Sequence, residues 1–173
     1  IDMSNFYMDV IKDRLYCDGA DSAARRSAQS ALWIILDAMT KVFAPILAFT
    51  CDEIWLQMPH RDGDDGRNVL LNQMSKPYAD YALSDTEMAV WETALRVRSD
   101  VNGVLETARA DKRIGKSLEA HVALFATDED AKAALDTIKS VDLPEIFIVS
   151  NVSTNETAPA EGAVVGQGVN FPG

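Results

Sequence analysis

A proline between two apolar helical runs constrains this chain more than any other feature. From Arg25 to Met58 the sequence reads RRSAQSALWIILDAMTKVFAPILAFTCDEIWLQM. Before Pro45, Leu32, Ile35, Leu36, Met39 and Phe43 recur at the three-and-four spacing of one helix face. After it, Leu47, Cys51, Ile54, Trp55 and Met58 do the same. Pro45 lacks an N–H and clashes with the preceding turn, so one straight helix cannot run through it. Either the helix kinks there or a new helix starts with Pro45 in its first turn. These apolar faces read as core, and no catalytic set of side chains falls within the stretch.

Two further helices flank this pair. Ser4 is placed to cap a helix reaching Tyr16, with Tyr7, Val10, Ile11 and Leu15 on its inner face. Asp21 or Ser22 caps the helix that leads into the apolar stretch. After Met58 comes a polar, turn-rich loop with Pro59, Gly63 and Gly66 among Asp62, Asp64 and Asp65. Gly66 and Gln73 stand where a calcium loop needs acids, so the loop reads as solvated rather than metal-binding. Ser84 with Glu87 forms a capping box. It opens the longest helix, from Asp85 to about Lys112, with Met88, Trp91, Leu95, Val101, Leu105 and Ala108 on the apolar side. Gly115 is placed to end it in a left-handed conformation.

From Leu118 to Ala126 the pattern switches to alternation, as in a strand. Thr127 then caps a short helix over 128–138, and the run from Glu145 to Ser150 reads as a second strand. Beyond Asn151 small and polar residues dominate, with 163–165 and Val169 as a candidate edge strand. The expected fold is therefore mainly α: a helical bundle over residues 1–116, a small α+β appendage over 117–150, and an irregular tail over 151–173.

Charge limits the partners. The net charge of the 173 residues is −11. Residues 1–120 carry 14 basic and 19 acidic side chains, and residues 121–173 only two lysines against eight acids. Such a chain is a poor non-specific binder of nucleic acid, so RNA contact would require local basic clusters. One arc of the long helix supplies such a cluster. At about 100° per residue, Arg98, Asn102, Arg109 and Arg113 fall together on it, overlapping the apolar side. Their partners are carboxylates of this chain, an absent part of a longer protein, or a phosphate backbone.

No nucleophile–base pair accompanies the two histidines, His60 and His121. No glycine-rich phosphate loop, His-Glu-x-x-His or Cys-x-x-Cys motif occurs. Two distant cysteines, Cys17 and Cys51, suit a reducing, cytoplasmic setting and no disulfide framework. No apolar run is long enough to span a membrane. The chain opens on Ile1, which reads as the interior of a longer protein.

Four segments resemble the bacterial-type isoleucyl-tRNA synthetases. They are FYMDVIKDRLY (Phe6 to Tyr16), RRSAQ (Arg25 to Gln29) and APILAFTCDEIW (Ala44 to Trp55). The fourth runs from Val97-Arg98 through Val101-Asn102, Leu105-Glu106 and Ala108-Arg109 to IGKSLEA (Ile114 to Ala120). The third segment alone fits several class I synthetases; the first and fourth, in this order, point to the isoleucyl members. The resemblance covers residues 4 to about 126 and is loose beyond. It implies the anticodon-binding domain of an enzyme that joins isoleucine to its tRNA with ATP and magnesium. It also implies that the catalytic and editing domains lie elsewhere in the parent, since His-Ile-Gly-His and Lys-Met-Ser-Lys-Ser are absent. Met74-Ser75-Lys76 shares three letters with the latter by coincidence. No zinc module, cofactor or metal is expected within the chain. The resemblance also implies a domain that begins upstream of Ile1; a bundle that lacks its first helices would leave an apolar groove and either self-associate or fold marginally.

Under this resemblance the chain would recognise an anticodon stem-loop without catalysing anything. The candidate RNA-binding residues are Lys12, Arg14, Arg25, Arg26, Arg98, Arg109, Lys112, Arg113 and Lys116. The competing expectation is a helical protein–protein module without RNA affinity.

Overall fold

The computed structural model describes residues 3–154 and 159–171. Among them are seven α-helices and a two-stranded sheet, as expected of a mainly α chain with a small appendage. The chain divides into two compact units, 1–82 and 83–173. This break does not coincide with the expected division at residue 116, because the long helix belongs to the second unit.

In the first unit the opening helix is not continuous. A π-helical turn, Met3–Tyr7, leads into α1 (Met8–Val10) and α2 (Lys12–Tyr16). Ile11 interrupts them at φ −80°, ψ 3°. Val10 and Ile11 are both buried. Neighbouring residues of a regular α-helix point about 100° apart, and the loosened turn accommodates the burial of both. Ser22 caps α3 (Ala23–Phe43), its hydroxyl accepting from the Arg25 N–H.

Pro45 lies in neither helix. The N–H groups of Ile46 and Leu47 both donate to Phe43 O at 2.9 Å, and α4 runs Ala48–Gln57. The junction is a tight turn between two helices.

The second apolar run packs largely as expected. Cys51, Trp55 and Met58 join Ala44 and Val69 in a core against which Trp33 and Ile54 lean. The first run does not. Leu36, Met39 and Phe43 are exposed, and the buried side chains of α3 are Ala28, Asp37 and Thr40. The loop after α4 explains the difference by folding back onto the 37–44 face. Trp33 Nε1 donates to Pro59 O at 2.9 Å, and Trp55 Nε1 donates to Asp65 O at 3.0 Å. Asp52 accepts from the Val69 N–H, fixing the single turn Val69–Leu71.

In the second unit, α5 (Asp85–Ala110) starts at the expected capping box. Its buried stripe is Ala94, Val97, Val101, Leu105 and Ala108, which faces α6 (Glu129–Ile138) and α7 (Leu143–Phe147). Met88, Trp91 and Leu95, assigned to the packed side from sequence, are exposed. The helix ends earlier than Gly115. The Lys112 N–H donates to Arg109 O and the Arg113 N–H to Ala108 O, with Lys112 left-handed at φ 57°. This is a Schellman motif with lysine where glycine is usual.

Two expectations for the appendage are corrected. Asp128, not Thr127, caps α6, accepting from the Ala131 N–H at 2.7 Å. Of the run expected as a second strand, 145–150, the first half lies in α7 and the rest is turn and bend. Asp142 caps the helix and Pro144 occupies its first turn, where a missing N–H costs nothing. The turn buries Leu143, Ile146 and Phe147 together. Burying Phe147 alone contributes about 2–3 kcal/mol. The strands are shorter and later: β1 is His121–Ala123 and β2 is Asn151–Ser153. They pair in parallel, His121 opposite Asn151, which requires the helical crossover between them. Residues 163–168 form no strand. The expected tail includes 155–158 and 172–173, which lie outside the described residues.

Candidate nucleic-acid interface

Each unit carries its own group of basic candidates, held by different local structure. In the first, Lys12 and Arg14 sit on α2, and Arg25 and Arg26 in the first turn of α3, which packs on α2. The short loop between these helices is internally tied. Ser22 Oγ donates to Asp18 Oδ2 at 2.7 Å, and Arg25 donates to Asp18 O at 2.9 Å. Arg25 therefore spans the loop through a backbone carbonyl. Lys12 pairs with Asp9 at 2.5 Å on the surface; that carboxylate raises the lysine pKa first by its hydrogen bond and then by its charge. Arg14 is half-buried and also engaged. Arg26 is exposed, and its side chain makes no hydrogen bond or ion pair with the described residues.

In the second unit the inward arc of α5 finds its partners within the chain. Arg98 Nε donates to Ile146 O at 2.9 Å, locking α5 to the last turn of α7. Arg109 pairs with Glu106 and donates to Ser117 Oγ at 3.0 Å. Arg113 donates to Gly162 O at 2.8 Å. Two of these three anchors are backbone carbonyls far away in sequence. Lys112, lifted out by its left-handed backbone, and Lys116 are exposed. Glu119 lies beside Lys116 and accepts from the Gly115 and Lys116 N–H groups, which hold its carboxyl below the usual range. The arrangement pairs a rigid set of arginines with a few free cations, and such cations can hold a phosphate backbone.

The family model for the anticodon-binding domain of tRNA ligase matches residues 1–124. The chain belongs to that family. This anticodon-binding domain is 43% identical over 166 residues to the isoleucine–tRNA ligase of Klebsiella pneumoniae (strain 342), covering 93% of the chain and 17% of the relative. It is 44% identical over 157 residues to that of Syntrophotalea carbinolica, covering 88% and 16%. The isoleucine–tRNA ligase of Brachyspira hyodysenteriae is 43% identical over 172 residues, covering 99% and 18%. The chain thus spans about a sixth of the length of these relatives. The similarity read from the four segments is borne out, and it extends past residue 126, where the segments alone were loose. The family match also crosses the break between the compact units.

Sequence reasoning missed the most constrained charges of the anticodon-binding domain. Asp37 is 1% exposed. Lys41 Nζ lies 2.9 Å from Asp37 Oδ1 and donates to Asp64 Oδ1 at 3.1 Å. Burial pulls the Lys41 pKa down, but the two carboxylates raise it by more, so it stays charged. Arg61 lies 3.3 Å from Asp37 Oδ2, donates to the Tyr78 hydroxyl at 2.9 Å, and has its guanidinium carbon 4.9 Å from the Trp33 ring centre and 5.6 Å from that of Tyr78. The cluster lines a depression of about 470 Å³ beneath the 71–78 segment. The available signal was Asp37 with Lys41 one turn on, in the largely apolar second half of α3. Among the described residues, no three His, Cys, Asp or Glu side chains group as metal ligands.

Proposed function

We propose that the chain is the tRNA-recognising part of an isoleucine–tRNA ligase, positioning the anticodon stem-loop while the reaction occurs elsewhere in a longer protein. One observation carries the reading: 43% identity to enzymes of that name runs across nearly the whole chain, including the match to the anticodon-binding model. The parent would attach isoleucine to its tRNA using ATP and magnesium, both held outside this chain. An anticodon loop offers unstacked bases and a ring of phosphates. Arg26, Lys112 and Lys116 are the first candidates for those phosphates, since their side chains carry no structural hydrogen bond. Lys12 can exchange its surface pair with Asp9 for a phosphate. Arg14, Arg25, Arg98 and Arg109 would act from positions the fold already fixes, whereas Arg113 would first have to leave its bond to Gly162 O.

No described helix is long and apolar enough to cross a membrane, and as part of a translation enzyme the chain would work in the cytoplasm. The direct test is titration of the 173-residue chain with an isoleucine-tRNA anticodon stem-loop at increasing salt, against a stem-loop of scrambled loop sequence. The expected result is preference for the true loop at about 20 mM salt, weakening as salt rises. Absence of binding to either RNA at that salt would leave a protein–protein module as the better reading.

A further inference from the structure

Residues 162–171 lie against α5 in a way that the expected irregular tail did not foresee. Asp100 is the anchor. Its Oδ1 accepts from the Val169 N–H at 3.0 Å and from the Asn170 side-chain amide at 2.8 Å. Its Oδ2 accepts from the Phe171 N–H at 3.0 Å, and the Asn170 N–H lies 3.1 Å from both oxygens. One turn earlier on α5, Arg96 covers the Phe171 ring at 4.6 Å, and its carbonyl accepts from the Asn170 amide.

Two glycines permit the approach. A Cβ on Gly168 would stand 2.7 Å from Asp100 Oδ2, and one on Gly166 would stand 2.5 Å from Val104 Cγ2. At the other end, Gly162 adopts φ +77°, and its carbonyl accepts from Arg113.

Apolar burial contributes little to this contact. Val165 is 72% and Val169 91% exposed, and a depression lined by Asp100, Val104, Val165 and Asn170 separates segment from helix. The segment is a strap closed by one carboxylate, and the two arginines it engages, Arg96 and Arg113, lie on or just beyond α5.

We propose that the 162–171 strap is an autoinhibitory latch, closed by Asp100, that withholds Arg96 and Arg113 from RNA phosphates. This rests on the tRNA-recognising function proposed above. With the strap closed, the Arg96 guanidinium faces a phenyl ring and Arg113 is spent on a peptide carbonyl. Opening it frees Arg113 beside Lys112 and Arg96 further back along α5, without disturbing the buried stripe of the helix. RNA and strap therefore compete, and each weakens the hold of the other.

The test opens the latch from its two sides, with Asp100→Ala on the helix and Gly168→Val on the strap, in the full 173-residue chain. Limited proteolysis within 159–171 reads opening, circular dichroism reads folding, and titration with the stem-loop reads affinity. Both variants should be cut faster than the parent chain at unchanged helicity. Both should bind the stem-loop about tenfold more tightly at low salt, with the slope of log affinity against log salt steeper by about 1.4 for two added single-strand phosphate contacts. Strap cleavage no faster than in the parent overturns the latch. Faster cleavage with unchanged or weaker RNA binding overturns the autoinhibition while leaving RNA recognition intact. If neither the parent chain nor the opened variants bind the stem-loop, RNA recognition fails, and the autoinhibition with it.

Discussion

Lys112 shows how one backbone angle can set stability against recognition. A left-handed lysine costs about 1 kcal/mol relative to glycine at the same place. Lys112→Gly should therefore raise the stability of the second unit by roughly that amount, read by urea denaturation. The same change should weaken stem-loop binding and lower the salt slope by about 0.7. A gain in stability with no change in RNA affinity would remove Lys112 from the interface. Asp37 predicts the opposite kind of effect. Truncating it leaves Lys41, whose side chain is 8% exposed, with only Asp64 to balance its charge. Asp37→Ala should cost about 3 kcal/mol, and pairing it with Lys41→Met should recover part of the loss. A cost below about 1 kcal/mol would mean that water reaches the lysine more easily than its burial indicates.

Helices were legible where caps and periodicity agreed. Ser22, the Ser84–Glu87 box and the spacing of α5 place their helix starts directly in the sequence. The run 145–150 was misread because Ile146, Phe147, Ile148 and Val149 have the composition of a buried strand. Asp142 and Pro144 bias the chain first into a helical turn, and Ile148 leaves it at φ 57°. The anchoring of Arg98 was not legible, because its acceptor is a main-chain oxygen 48 residues away and backbone atoms leave no mark on composition. The strap was hidden for a related reason: its hold on Asp100 is made mostly of peptide N–H groups. That contact also predicts a pH response. Burial pushes the Asp100 carboxyl up, but the N–H groups of Asn170, Phe171 and Val169 pull it further down, to a net value below the ordinary carboxylate. The contribution of the contact is therefore complete above about pH 4, the unfolded value. It is lost as pH falls through the lower folded value. Residues 162–171 carry no titratable side chain, so hydrogen exchange of the Val169–Phe171 amides should accelerate below pH 4 relative to neighbouring loops. Asp100→Asn should abolish that dependence.

Across the whole molecule, charge works against RNA and geometry must compensate. A net charge of −11 repels phosphate at long range, so affinity has to come from a few local cations and should be strongly salt-dependent. Arg26→Ala should lower affinity and slope without moving the melting temperature. Arg25→Ala, which cuts the tie to Asp18 O, should lower the melting temperature as well. Equal thermal effects from both would mean that the α3 entrance does not distinguish binding from structural arginines. The two compact units also call for a readout that assigns each loss of structure to its place, and the enclosed ammonium of Lys41 supplies one. In a covalent amine-labelling experiment the exposed lysines should react within minutes, while Lys41, shielded by two aspartates and an indole face, stays dark. The first appearance of label at that position dates the opening of the 1–82 unit from within an otherwise uniform chemical footprint.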